Sequence, residues 1–148
     1  MDYSSKKLYW IAFAIRVILG VIFVYAAYVK LKDPWELFAL AISQYQLLPL
    51  TMVEFVARSL PWFELLLGIL LLTGRWLRFS ATAVSVLLLT FFVLMVRADL
   101  QGMAINCGCF GPGEVISWKT LLRDGSMLAA ALALAALAFV RQKRAAGF

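Results

Sequence analysis

Two cysteines separated by one glycine are the residues of this sequence with the clearest chemical potential. Cys107-Gly108-Cys109 contains both cysteines of the 148-residue chain. Residues two apart can just bring their Cα atoms to the separation of about 4.4–6.8 Å that a disulfide needs, so the resulting ring is tight. Strained, exposed disulfides are the more oxidising and labile ones. The spacing therefore predicts a redox-active pair.

Other uses of the same two thiols stay open. The pair could be a permanent structural clip of its loop, or two unpaired thiols. Zinc prefers four N or S ligands, and the chain offers two Cys and no His, so we predict no metal site. Glycines permit tight turns and close backbone approach, and we expect the residues around the thiols to shape the loop: Asn106, Gly108, Phe110 and Gly111.

Arg16 and Glu64 are a second candidate site, because both fall inside long apolar stretches. At about 1.5 Å per residue, the two lie at matching depth, so we expect them to pair across antiparallel helices. A lone charge at that depth costs at least about 2.5–3.5 kcal/mol. The pair could fix helix register or form a proton or ligand site. Pro61 predicts a kink that either bends its helix or shapes a cavity for a lipid or quinone headgroup.

Membrane spans must position these residues. The chain is 64% hydrophobic and 15% charged, with a mean hydropathy of +0.91, whereas soluble domains are about half apolar and a quarter charged. This composition excludes a disordered protein, a nucleic-acid-binding domain and an ordinary cytosolic enzyme. Because a span needs about 20 apolar residues, the sequence predicts one all-α integral membrane domain over residues 1–148. Its four-helix bundle has spans near 8–29, 53–73, 77–96 and 121–140.

The basic charge of the chain predicts its orientation. The net charge of +6 lies entirely on the side that holds both termini. Positive charge favours the cytoplasm, so we expect both termini to be cytoplasmic in the cell (inner or plasma) membrane, with the Cys-Gly-Cys loop outside. The cationic residues on the cytoplasmic side face a single acid, Asp2, and are Lys6, Lys7, Arg75, Arg78, Arg141, Lys143 and Arg144.

Two longer connections then face outward. The first holds Asp33-Pro34-Trp35-Glu36, which predicts an N-cap and capping box and a short amphipathic helix over about 34–48. Such a helix would lie at the interface or pack across the top of the bundle. The second connection, near 97–120, is rich in Gly and contains the cysteine pair. Together they are expected to form an outward-facing cap.

Three stretches resemble the MauE branch of the DoxX-like membrane proteins. They occur in the same order and topology as in that family, the similarity runs from span one to span four, and the Cys-Gly-Cys-Phe-Gly element is the most specific piece. The stretches are Lys30-Leu31-Lys32-Asp33-Pro34, Leu60-Pro61-Trp62-Phe63-Glu64-Leu65 and Asn106-Cys107-Gly108-Cys109-Phe110-Gly111.

The resemblance implies a small four-helix protein that assists thiol–disulfide chemistry outside the cytoplasm. Its partners would be an extracytoplasmic thioredoxin-like protein or a disulfide-containing substrate, besides the lipid bilayer, and no nucleic acid. Quinone-linked disulfide-generating enzymes of similar size use a second cysteine pair as a relay, which this chain lacks. No cofactor is therefore certain, and a quinone is one candidate acceptor. Nothing in the sequence indicates an oligomeric state.

The hypothesis from the sequence is thus a membrane thiol–disulfide oxidoreductase or redox helper acting through Cys107 and Cys109. One alternative is a non-catalytic assembly or maturation factor whose disulfide only stiffens a docking loop. A second alternative is a small lipid or solute carrier, with Arg16, Glu64 and Pro61 lining the path.

Overall fold

Four long helices and one short helix make up the structure. The computed structural model describes residues 3–103, 105 and 115–146. Within these ranges the helices are α1 (Tyr3–Lys32), α2 (Trp35–Ser43), α3 (Leu50–Thr73), α4 (Leu77–Leu100) and α5 (Trp118–Ala146). All except α2 are long and apolar enough to cross a membrane. The predicted class, an all-α integral membrane protein with four spans, is confirmed, and the chain is a multi-pass membrane protein.

The spanning helices alternate in direction, so α1 begins and α5 ends at the same side of the bundle. At this side the Arg78 guanidinium lies 5.5 Å from the centre of the Phe139 ring. The Arg141 guanidinium lies 5.0 Å from the centre of the Tyr9 ring. We call this side the terminal end. The opposite side, where α1 leads into α2 and α4 leads towards α5, is the loop end.

The bundle consists of two closely packed helix pairs. Helix α1 packs most extensively on α3, and α4 packs most extensively on α5. Many large apolar side chains face outward, among them Trp10 and Phe55, which are 66% and 73% exposed. In a bilayer these side chains contact lipid, so the apolar outward surface faces the apolar lipid chains. The two pairs share one core, whose larger members are Leu19, Phe23, Leu67, Leu71, Val84, Leu88, Leu128 and Leu134.

Two glycines set the close approach of α1 and α3. A Cβ atom added at Gly68 would lie 2.8 Å from Cγ2 of Val24 and 3.0 Å from the carbonyl oxygen of Gly20. A Cβ atom added at Gly20 would lie 2.8 Å from Cγ of Leu72. Small residues at a helix interface are a common way to hold membrane helices together, because dispersion contacts replace the hydrophobic effect in lipid.

We expect Gly68→Ala to lower the free energy of unfolding by about 1–3 kcal/mol, because overpacking forces the backbones apart. Unfolding in detergent–SDS mixtures, followed by circular dichroism, measures the change. Gly125→Ala is the matched control, since its added Cβ would meet only the edge of the Phe92 ring, at 3.3 Å. An equal loss of stability in both variants would show that the α1–α3 contact is not the cause.

Helix α2 differs from its prediction at both ends. It begins after Pro34, which occupies the N-cap position without a side-chain hydrogen bond, so the predicted capping box at Asp33 does not form. It ends at Ser43 and not near 48. The chain then passes through Gln46 with a positive φ of 55°, and α3 starts after Pro49. A left-handed residue interrupts a right-handed helix, so α2 cannot continue through Gln46 to the residue before Pro49.

Candidate functional site

Lys30 and Glu64 form a buried ion pair near the loop end. The Nζ atom of Lys30 donates to both carboxylate oxygens of Glu64, at 2.8 Å each. The two side chains are 1% and 6% exposed. Lys30 belongs to the last turn of α1, and Glu64 follows the buried Pro61 by about one turn in a continuous α3. Two of the three stretches that resemble the MauE branch therefore meet in one contact.

Arg16 is not the partner of Glu64, because the antiparallel register of α1 on α3 places the two residues at different heights. Gly20 of α1 lies against Gly68 and Leu72 of α3, and Lys30 reaches Glu64. Helix α1 therefore meets Glu64 at Lys30, which is about 20 Å along the helix axis from Arg16 at about 1.5 Å per residue. The predicted Arg16–Glu64 pair is wrong, because it placed the start of the first span level with the end of the second.

Arg16 instead lies at the terminal end, beside the last turn of α3. Its guanidinium packs directly against Gly74, which closes α3 in a left-handed conformation with φ 73°. The same guanidinium lies 4.9 Å from the centre of the Phe13 ring. A cation beside a helix C-terminus is stabilised by the negative end of the helix dipole. Arg16 therefore stabilises the end of α3 and is not part of the site around Glu64.

Aromatic rings from two further helices surround the Lys30 ammonium. The Nζ atom lies 5.0 Å from the ring centre of Phe38 in α2 and 6.0 Å from that of Phe91 in α4. Cation–π attraction acts over about 6 Å and is stronger where water is excluded. One lysine thus connects α1, α2, α3 and α4.

The fifth helix contributes Asp124 to the same site. A cavity of about 30 Å³ is lined by Lys30, Glu64 and Asp124 together with apolar side chains of α1, α4 and α5. Asp124 is itself buried and accepts a hydrogen bond from Nε of Arg123 at 2.9 Å. Lys30 and Arg123 carry two positive charges and Glu64 and Asp124 carry two negative charges, so the formal charges of the four residues balance. A cavity of this size holds about one or two water molecules, so the arrangement can bind water or move a proton.

A larger apolar pocket adjoins this polar cavity. Its volume is about 370 Å³, and Leu87 and Phe91 of α4 line both spaces. The pocket lies where α2 and α3 face α4, the part of the bundle between the two closely packed helix pairs. Its other walls are formed by Phe38, Ile42, Tyr45, Leu47, Leu48, Val56, Leu60, Thr90 and Leu94.

The predicted cysteine site falls in a segment outside the described residues. This holds for Cys107, Cys109 and the expected loop-shaping residues Asn106, Gly108, Phe110 and Gly111. The flanks of the segment are described. The N–H of Ile116 donates to the carbonyl oxygen of Ile105 at 3.0 Å. Ile116 is buried in a cluster with Tyr45, Met95 and Ala98, so both flanks are held at the loop end.

Lys30 and Asp124 were not predicted as site residues. In the structure Lys30 continues the helical spacing of Leu19, Phe23 and Ala26, which are buried. Asp124 stands in the same relation to the buried residues Leu128 and Ala131. The sequence signal is a charged residue at the edge of an apolar stretch, where an ionisable group that faces the bundle interior is a candidate site residue. This signal does not separate Lys30 and Asp124 from their neighbours Lys32 and Arg123, because all sides of these spans are apolar.

Comparisons with known proteins identify the family. No solved structure matches the chain. The chain is 32% identical over 128 residues to methylamine utilization protein MauE of Paracoccus denitrificans, covering 84% of this chain and 68% of that protein. It is 34% identical over 119 residues to protein TlpB of Flavobacterium psychrophilum, covering 73% of this chain but only 31% of TlpB. The family model of methylamine utilisation protein MauE matches residues 8–138. The chain therefore belongs to the MauE family.

Proposed function

We propose that this chain is a membrane thiol–disulfide exchange protein that acts through Cys107 and Cys109 on an extracytoplasmic partner. The observation that carries the proposal is a Cys-Gly-Cys segment joining α4 to α5 in a MauE-family chain. The flanks of this segment are held together by the Ile116–Ile105 hydrogen bond. By the distribution of positive charge, this end of the bundle faces away from the cytoplasm, where disulfides persist.

The exchange needs only the two thiols and the partner. A thiolate of the pair attacks one sulfur of the partner disulfide and forms a mixed disulfide, while the other partner sulfur leaves as a thiolate. The second cysteine then attacks the mixed disulfide. The chain ends as a disulfide and the partner as a dithiol, with two electrons and two protons transferred. The reverse sequence oxidises the partner, and the two reduction potentials decide the direction. The partner class is a thioredoxin-like protein or a disulfide-containing substrate.

A lipid-soluble quinone is one candidate for the apolar pocket near the loop end. The pocket of about 370 Å³ is lined almost entirely by apolar side chains and would hold an apolar ring and tail. Lys30 and Glu64 do not line this pocket, and the Lys30 ammonium is bound to both Glu64 carboxylate oxygens. A quinone, when bound, would supply an acceptor for two electrons and two protons from the dithiol.

A redox titration of the purified protein tests the proposal. The chain is equilibrated in glutathione buffers, and intact mass after alkylation gives the fraction of disulfide. We expect a two-electron transition, about 30 mV per tenfold change, with a midpoint above about −300 mV. Cys107→Ser is the control, which should form only a glutathione adduct at Cys109. A midpoint below about −300 mV would identify a structural clip and would favour the assembly-factor alternative.

A further inference from the structure

The terminal end of the bundle carries an arginine-lined notch that the proposed function does not use. The notch has a volume of about 520 Å³ and lies between the first turn of α4 and the last membrane-spanning turn of α5. This volume is within the usual range of ligand pockets. Arg78 and Arg141 supply the charge, and Trp76, Leu77, Phe79 and Ala138 supply apolar walls.

Both guanidiniums are oriented by aromatic rings. Arg78 lies 5.5 Å from the centre of the Phe139 ring, and Arg141 lies 5.0 Å from the centre of the Tyr9 ring. A guanidinium that stacks on a ring uses its face and keeps its in-plane N–H donors free for a planar or tetrahedral oxyanion. Neither arginine forms an ion pair with a side chain in the described part of the chain. The notch therefore presents two positioned cations without a described counter-ion.

The start of α4 adds to the positive potential of the notch. This helix has no side-chain cap, and its N-cap residue Trp76 is in the left-handed conformation. The N–H of Ser80 already reaches the carbonyl oxygen of Trp76, at 2.9 Å. The N–H groups of the preceding turn therefore point out of the helix at its positive end. They reinforce the two arginines, which remain the main contribution.

The height of the notch in the membrane identifies the ligand class. Leu77 begins one candidate span and Arg141 ends another, so the notch lies at the edge of the hydrocarbon layer. A lipid phosphate is delivered at this height by the bilayer, and its acyl chains meet the apolar walls. A free phosphate ion has no acyl chains and would make no contact with the apolar walls. Trp76, 76% exposed, is the kind of residue that occupies the headgroup level. We propose that the notch binds the headgroup phosphate of an anionic phospholipid.

Lipid titration of the full chain in nonionic detergent tests this site. Dioleoyl phosphatidylglycerol, dioleoyl phosphatidylcholine and inorganic phosphate are added separately, and native mass spectrometry and thermal unfolding report binding. We expect phosphatidylglycerol alone to bind tightly and raise the unfolding temperature. Arg78→Gln/Arg141→Gln should weaken its binding about 25-fold, at about fivefold for each arginine. The matched control Lys6→Gln/Arg75→Gln removes the same charge from the same end, but neither residue lines the notch, and it should keep most of the affinity.

Three results would overturn the proposal. Equal binding of phosphatidylcholine would show that the notch does not recognise the net charge of the headgroup. An equal effect of inorganic phosphate would show that the acyl chains are not needed. An equal loss in the control would show general attraction and no defined site. If the glutamine variant does not fold, Arg78→Lys/Arg141→Lys replaces it, and undiminished affinity in that variant would exclude recognition by the guanidinium forks.

Discussion

Lys30→Met is expected to lower the free energy of unfolding by about 3–5 kcal/mol, and Glu64→Met by a similar amount. Each change leaves one member of the 2.8 Å pair buried without its counter-charge, which is far costlier than losing a surface ion pair. The double variant Lys30→Met/Glu64→Met should lose much less than the sum, because apolar side chains of similar length fill the space of the pair. Unfolding in detergent–SDS mixtures gives the three values and the coupling energy.

Lys32→Met is the control for this cycle. Lys32 is exposed and lies two residues from Lys30 in the same helix turn, so we expect a change within about 0.5 kcal/mol. Additive losses in the double variant would contradict the pairing.

The same variants also separate an effect on stability from an effect on thiol-exchange activity. A double variant that is stable but inactive in thiol exchange would give the pair a role in the reaction, whereas a stable and active one would limit it to packing.

Replacing both cysteines should abolish exchange and leave the bundle folded. Serine has no thiolate, so Cys107→Ser/Cys109→Ser can neither attack a disulfide nor form one. The expected rate is that of the uncatalysed reaction, measured with the reconstituted protein and a thioredoxin-like protein whose mixed disulfides are resolved by mass. Helical circular dichroism and the unfolding temperature should match those of the wild type within a few degrees.

Single variants sharpen the same experiment. If Cys107 attacks the partner, Cys109→Ser should accumulate a mixed disulfide and Cys107→Ser should not, and the opposite pattern would make Cys109 the nucleophile. Full activity of the double variant would contradict the proposed function and favour an assembly factor. A transport activity that is lost in Glu64→Gln and unaffected by Cys107→Ser would instead favour a carrier.

The four spans could be predicted because lipid imposes composition directly on the sequence. Each spanning helix must satisfy its own backbone and expose apolar side chains, so a long apolar stretch with few charges is sufficient evidence. The exact ends were harder. Helix α1 reaches Lys32 and α4 reaches Leu100, because polar and charged residues continue a helix beyond the hydrocarbon layer without interrupting its hydrogen bonds.

The partner of Glu64 could not be obtained in the same way. Helix faces that contact lipid and faces that contact other helices are both apolar in this chain, so hydropathy does not reveal which helices are neighbours. Equal distances from the expected span ends do not place two residues at equal depth, because the two helices are offset along their axes. The antiparallel register of α1 on α3, in which Gly20 lies against Gly68 and Leu72, brings Lys30 and not Arg16 to Glu64.

The packing of the bundle suggests that its two ends have different roles. Helices α1 and α3 are held by Gly20 and Gly68, and Lys30 connects this pair to α2 and α4. The apolar pocket lies between the two helix pairs. In the proposed function, the loop end carries the thiol chemistry. In the lipid proposal, the terminal end is anchored to the opposite leaflet.

Thiol labelling in sealed right-side-out vesicles tests the central proposal most directly. A membrane-impermeant maleimide is added with and without prior mild reduction, and intact mass counts the labels. If Cys107 and Cys109 form a labile, outward-facing disulfide, two labels should appear only after mild reduction. If labels appear only after denaturation and strong reduction, the pair is a buried structural clip, and the proposed exchange function is contradicted.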